Sequence, residues 1–204
     1  PAGATSNYAV ETKAPSINSF TLSDTELKAG DNATVTLVFS DAVISFSSDD
    51  DITITNGALT TMSSTDNITW TGIFTPSTNT EDATNTFSLA TSYTDVAGNA
   101  GPASTTLNYE VDTLAPITSG IAITGAIGSQ NNLLNVGDIL SITATFSESV
   151  IVDNSSGNPQ LTLIVGSTNR TATYASGSGS TGLVFQYTIQ AGETDSDGIS
   201  IGAN

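Results

Sequence analysis

Asn7-Tyr8-Ala9-Val10-Glu11-Thr12-Lys13-Ala14-Pro15 returns as Asn108-Tyr109-Glu110-Val111-Asp112-Thr113-Leu114-Ala115-Pro116, an offset of 101 residues. The preceding Ala2-Gly3 likewise matches Ala100-Gly101. A second landmark keeps the same order. Ala29-Gly30-Asp31 with Val35-Thr36-Leu37-Val38-Phe39-Ser40-Asp41-Ala42-Val43 returns as Val136-Gly137-Asp138 with Ile142-Thr143-Ala144-Thr145-Phe146-Ser147-Glu148-Ser149-Val150. Its offset is 107, and the later copy takes up the difference in the longer stretch 119–135. Two landmarks at nearly one offset define a tandem array with a period near 100 residues. Residues 1–15 then read as the last strand and linker of a preceding unit. Residues 16–116 read as a complete unit, and 117–204 as a further unit that stops before its last strands.

Within the complete unit, strand signals fall at 17–22, 33–39, 52–55, 58–62, 68–75, 87–93 and 105–111. Val35-Leu37-Phe39 and Ile68-Trp70-Gly72-Phe74 alternate with polar residues at the period of a half-buried strand. Asn56-Gly57 reads as a tight hairpin turn, and no window carries a helical stripe. About seven strands in 100 residues mark an all-β fold, a string of immunoglobulin-like (Ig-like) β-sandwiches. Trp70, on a middle strand at an inward position, reads as a core anchor and not as a ligand platform.

The chain has 204 residues with 20 Asp and Glu against three Lys and Arg, a net charge of −17. Three cations cannot neutralise a row of phosphates, which excludes nucleic acid as a partner; an anionic membrane surface is excluded on the same ground. With no His and no Cys, a Ser-His-Asp triad, a Cys nucleophile, the usual zinc ligands and a disulfide are all excluded. The 34 Thr and 27 Ser with so few Lys suit a secreted or bacterial cell-surface protein. No run approaches the roughly 20 apolar residues of a membrane span. The opening Pro1-Ala2-Gly3-Ala4 reads as the interior of a longer chain, with no signal peptide.

The motifs now carry a resemblance. Gly-Asp is followed by a strand ending Phe-Ser-Asp/Glu-x-Val, then Tyr93-Thr94-Asp95-Val96-Ala97-Gly98-Asn99, then Tyr109-x-Val-Asp112-Thr113-x-Ala115-Pro116. This resembles the bacterial Ig-like repeats of giant calcium-dependent surface adhesins of the RTX type. The last unit is similar to a sister repeat of those proteins, through Phe146-Ser147-Glu148-Ser149-Val150, Pro159-Gln160-Leu161-Thr162-Leu163 and 171–179. The resemblance implies tandem sandwiches on the cell surface, in adhesion or biofilm, with neighbouring repeats of the same polypeptide or filament as partners. Two departures stand out: Glu11 replaces the usual Asp of the linker, and the Asp-x-Ala-Gly-Asn loop does not recur before Asn204.

An up-and-down strand order places the acids. The end of the second strand (Asp41), the incoming linker (Glu11) and the loop Asp95–Asn99 reach one pole. Asp31, the acidic loop Glu81-Asp82 and the outgoing linker residue Asp112 reach the other, where the next unit contributes Glu148. Crowded carboxylates without cations call for Ca2+, which takes 6–8 oxygens. The expected metal ligands are therefore Glu11, Asp41, Asp95 and Asn99 at one junction and Asp31, Asp112 and Glu148 at the other. A further calcium loop is expected at Glu193-Thr194-Asp195-Ser196-Asp197-Gly198, where alternate acids precede a Gly. It is not an EF-hand, because Asn204 stands where the bidentate acid belongs. Asp49-Asp50-Asp51 reads as a solvated loop. The four Asn-x-Ser/Thr matches read as accidental in so polar a chain. Lys13 and Lys28, in a linker and beside a turn, are badly placed for an isopeptide crosslink.

These readings point to a non-enzymatic spacer of a long adhesin or filament whose junctions calcium rigidifies. The alternatives are a module binding carbohydrate, ice or protein, and a filament subunit completed by strand exchange through residues 1–15. Glycoside hydrolysis by paired acids is set aside, because no acid sits in an apolar run that would raise its pKa.

Overall fold

The computed structural model describes residues 7–203. Its contacts cluster into two units that divide between Ala115 and Pro116. The strands of the first unit are β1 (Ile17–Leu22), β2 (Glu26–Lys28), β3 (Ala33–Phe39), β4 (Val43–Ile44), β5 (Ile52–Thr53), β6 (Gly57–Leu59), β7 (Thr69–Pro76), β8 (Glu81–Asn85), β9 (Ser88–Leu89), β10 (Thr94–Asp95), β11 (Ser104–Thr105) and β12 (Tyr109–Asp112). One helical turn, α1 (Ser48–Asp51), precedes β5. Residues 7–16 lie outside any strand.

One layer of this unit has the order β1-β3-β7-β6. The other is built from interrupted strands: β4 and β5 pair with β10 and β9, while β9 and β8 pair with β11 and β12. Between β1 and β2 the first strand changes layers, because β1 pairs with β3 whereas β2 runs parallel to β12. This is the four-plus-three arrangement of an Ig-like sandwich with Greek-key connections, so the up-and-down order is corrected. The strict alternation of β3 explains its central place: Ala33, Val35, Leu37 and Phe39 point inward and are fully buried. Across the core they meet Leu27, Phe87, Leu89, Tyr93, Tyr109 and Val111 from the other layer. Phe74, Phe87 and Tyr109 form one aromatic cluster with ring centroids 5.1–5.4 Å apart. Trp70 packs partly buried against this core, with its ring centroid 4.8 Å from that of Phe46.

Three local readings change. Asn56 adopts a left-handed φ of 55°, but the strands beside it do not pair with each other. β5 joins β9 while β6 joins β7, so Asn56-Gly57 hands the chain from one layer to the other. Glu81-Asp82 is not a loop but the start of β8, a polar strand held by β12. Asp49–Asp51 forms α1, and Asp51 is buried, accepting the Ser47 N–H at 2.8 Å and the Ser92 hydroxyl.

The second unit contains β13 (Thr118–Ile127), β14 (Ile139–Val150), β15 (Gln160–Val165), β16 (Thr168–Ser176), β17 (Ser180–Thr188) and β18 (Ser200–Ile201). All six form one sheet in the order β13-β14-β17-β16-β15-β18. Leu140, Ile142 and Ala144 pair with Tyr187, Phe185 and Leu183, which places all six on one face. That face is buried together with Leu161, Leu163 and Val165 of β15. A flat sheet would leave it wet, so the sheet curls on itself. Two separate layers were expected here, but the β14–β17, β16–β17 and β15–β16 ladders join every strand into one sheet, the last through a turn at Gly166 (φ 60°) that pairs Val165 with Thr168. Among the described residues, no helix is long and apolar enough to cross a membrane.

Candidate functional site

The pole of the first unit that receives the incoming segment carries a cavity of about 660 Å³. Glu11, Asp41 and Asp95 all line it, with Lys13 and the apolar Val10, Ala42 and Val96 between them. Each reaches the pole through local backbone chemistry. Asp95 opens the Asp-Val-Ala-Gly-Asn loop, and its two carboxylate oxygens accept the Asn99 N–H and the Asn99 Nδ2–H, each at 2.8 Å. The Gly98 N–H closes the same turn onto the Asp95 carbonyl at 3.1 Å, with Gly98 at φ 92°. The hydrogen bonds from Asn99, first its side chain, hold the buried Asp95 carboxyl below the usual aspartate range. Asn99 Nδ2 also donates to the Lys13 carbonyl at 3.4 Å, which ties the incoming segment to this loop. Ser40, just after β3, does the same: its hydroxyl accepts the Ser16 N–H and donates to Asp41 at 2.7 Å.

Glu11, Asp41, Asp95 and Asn99 thus meet at one pole. Carboxylates and an amide oxygen are the hard donors that calcium takes. Among the described residues, however, no three acidic side chains are gathered closely enough to hold one ion. Lys13 stands among them, and Asp95 is already satisfied by Asn99.

The other expected ligands are more dispersed. Asp31 Oδ2 accepts both the Lys28 N–H and the Lys28 ammonium at 3.1 Å, and these bonds lower its pKa. Asp112 lies on β12 across from Lys28 on one side and Glu81 on the other. Asp82 turns instead to Asn56 Nδ2 at 2.7 Å. Glu148 belongs to β14 of the second unit.

In the acidic run of the second unit the side chains turn to different partners. Glu193 is almost fully buried and accepts from Arg170 Nε, from the Tyr187 hydroxyl and, at 2.8 Å, from the Gln190 N–H. Burial pushes its carboxyl up, but the donors from Tyr187, Gln190 and Arg170 outweigh that and hold it low. Asp195 accepts the N–H groups of Gly166 and Gly198 at 2.8 Å, with the Gly166 bond the main cause of its lowered pKa. Asp197 is exposed. Sequence reading missed this Arg170–Glu193–Tyr187 cluster. The visible signal was the placement of Arg170 in a chain with only three Lys and Arg.

The two layers, their crossing and the closing strand define the first unit as an Ig-like β-sandwich. Residues 11–111 match the family described as Bacterial Ig-like domain, and the all-β sandwich of the first unit is consistent with that match. No curated protein and no solved structure matches the chain.

Proposed function

We propose that the chain is a spacer segment of a long extracellular bacterial adhesin or surface filament, with calcium stiffening its junctions. The observation that carries this reading is the closing strand. β12 completes the first sandwich, and Thr113–Ala115 then lead directly into the second unit. A sandwich that passes the chain on from its last strand is suited to stringing in series, and the repeated Asn-Tyr-x-Val motif supplies the period. The absence of His and Cys and the buried aromatic core support a structural role over catalysis.

Calcium acts at the pole lined by Glu11, Asp41 and Asp95. Glu11 sits on the strand-free incoming segment, so an ion drawing it toward Asp41 and Asp95 fixes that segment against the sandwich. In the affinity range of extracellular modules, about 10⁻⁴–10⁻³ M, some 10 mM calcium stabilises by roughly 1.4–2.7 kcal/mol. Small-angle scattering and thermal melts with calcium and with chelator test this. A longer maximum dimension and a higher melting temperature with calcium are expected; no change in either removes calcium from the reading. Binding of a glycan by the chain would replace the spacer with a ligand-binding module.

A further inference from the structure

Asn-Gly occurs once in the sequence, at Asn56-Gly57, and it is the dipeptide in which an asparagine loses its amide most readily. Glycine leaves the following backbone nitrogen unshielded, so that nitrogen can attack the side-chain carbonyl carbon. The fold requires both residues. A Cβ at Gly57 would lie 2.2 Å from the Phe74 ring, and Asn56 holds a left-handed φ of 55°, which few other side chains tolerate. The Gly57 N–H takes no part in the β6–β7 ladder. The Ser77 N–H donates to the Asn56 carbonyl at 2.8 Å, which makes Gly57–Pro76 a non-hydrogen-bonded pair on the edge strand β6. The carboxamide, by contrast, is held. Asn56 Nδ2 donates one hydrogen to Asp82 Oδ2 and the other to Asn85 Oδ1, each at 2.7 Å. Both acceptors are fixed in turn. Asp82 accepts the Thr84 N–H at 2.9 Å, and the buried Asn85 donates to the Asp82 and Tyr109 carbonyls.

We propose that Asn56 is a deamidation site that the closed first sandwich protects and an opened one exposes, so that opening leaves a covalent mark. The Gly57 nitrogen bonds to the Asn56 side-chain carbonyl carbon, the bond from that carbon to Nδ2 breaks, and Nδ2 leaves as ammonia with the proton from Gly57. Water then opens the five-membered succinimide at either carbonyl and gives aspartate or isoaspartate. Nothing is oxidised or reduced. Closing the ring turns the carboxamide carbon onto the Gly57 nitrogen and breaks both bonds of Nδ2, which restrains the reaction until the segment opens. The mark has a consequence. A carboxylate at this position faces the Asp82 carboxylate and Asn85 Oδ1 with no donor among the three, so a marked sandwich closes less firmly. Isoaspartate also lengthens the backbone at the point where the chain passes from one layer to the other.

Peptide mapping by mass spectrometry, with isoaspartate resolved by chromatography, reads the site in the full chain at mildly alkaline pH. Loss of the Asn56 amide is expected to be at least about tenfold slower in buffer than in denaturant that unfolds the chain. Equal rates in the two overturn the protection. Asn56→Asp, which is one of the two products, should lower the melting temperature of the first unit, followed by Trp70 fluorescence. A variant that melts with the parent overturns the consequence of the mark. Asn56→Asp combined with Asp82→Asn exchanges donor and acceptor across the 2.7 Å contact and should recover part of the loss. Where Asn56→Asp alone does not fold, this exchange carries the test: regained folding supports the clamp, and a chain that stays unfolded overturns it.

Discussion

Glu193 shows how a side chain that reads as a metal ligand can be committed elsewhere. Its neighbours in sequence are acids, but its neighbours in space are Arg170 and the Tyr187 hydroxyl. Burying a carboxylate is tolerated only with such donors. Because its pKa is lower folded than unfolded, the unfolded state binds the proton more readily, and stability rises with pH through that window. The contribution is complete above the ordinary glutamate value of about 4.3 and is lost as pH falls through the folded value. The melting temperature of the second unit should therefore fall between about pH 5 and pH 3. Glu193→Gln should lower it at pH 7 and flatten that slope, and Asp195 should leave a residual slope. Glycine gives a second test. A Cβ at Gly57 would lie 2.2 Å from the Phe74 ring, and one at Gly101 would lie 2.1 Å from the Tyr93 ring. Either Gly→Ala change should cost the first unit about 1–3 kcal/mol, read by Trp70 fluorescence, since the chain has one Trp and it lies in that unit.

Among the elements, legibility follows the alternation of apolar residues. β3 occupies the range read from sequence because it carries a strict inward series and lies between two partners, whereas β1, with only Phe20 buried, keeps its range through the ladder with β3. β8 went unread because Glu-Asp-Ala-Thr-Asn has no apolar series; its place comes from the β12 ladder and the Asn108 side chain. β2 is too short to show a period, and the strand read at 87–93 contracts to Ser88–Leu89. The Asn-Gly signal marked a turn, where Asn56 is left-handed, but was wrong about the hairpin pairing, because conformation is local and layer assignment is not. The strongest contrast is between two copies of one motif, identical at Asn, Tyr and Val, one seated and one exposed. Tyr109→Ala should cost the first unit about 3–5 kcal/mol, as large buried aromatics do. Tyr109→Phe, which loses only the bond to the Thr55 carbonyl, should cost about 0.5–1.5 kcal/mol. Tyr8→Ala should stay within about 0.5 kcal/mol of the parent. Denaturant titration followed by Trp70 fluorescence ranks the three, and equal effects at Tyr8 and Tyr109 would contradict the difference in burial.

For the whole molecule, the net charge of −17 poses the problem that any cation must address. The pole formed by Glu11, Asp41, Asp95 and Asn99 was legible because it needs only the direction of neighbouring strands, which an incorrect strand order did not disturb. What sequence did not reveal is that hydrogen bonds from Asn99 and Ser40 already hold this pole together, so a bound ion must add to an existing arrangement. Two effects of calcium then have to be separated. Any salt screens the repulsion among exposed carboxylates, with a Debye length of about 10 Å at 0.1 M, and raises the melting temperature without choosing a site. A specific ion adds a further increment that sodium at matched ionic strength does not supply. The expected outcome is a higher melting temperature of the first unit in calcium chloride than in sodium chloride of equal ionic strength. Asp41→Asn should shrink that difference and leave the sodium response intact, because Asp41 lines the cavity without carrying the loop that Asp95 closes. Identical melting curves in the two salts would reduce the acidic pole to a solubility device and leave the hydrogen bonds from Asn99 and Ser40 as its whole structural content.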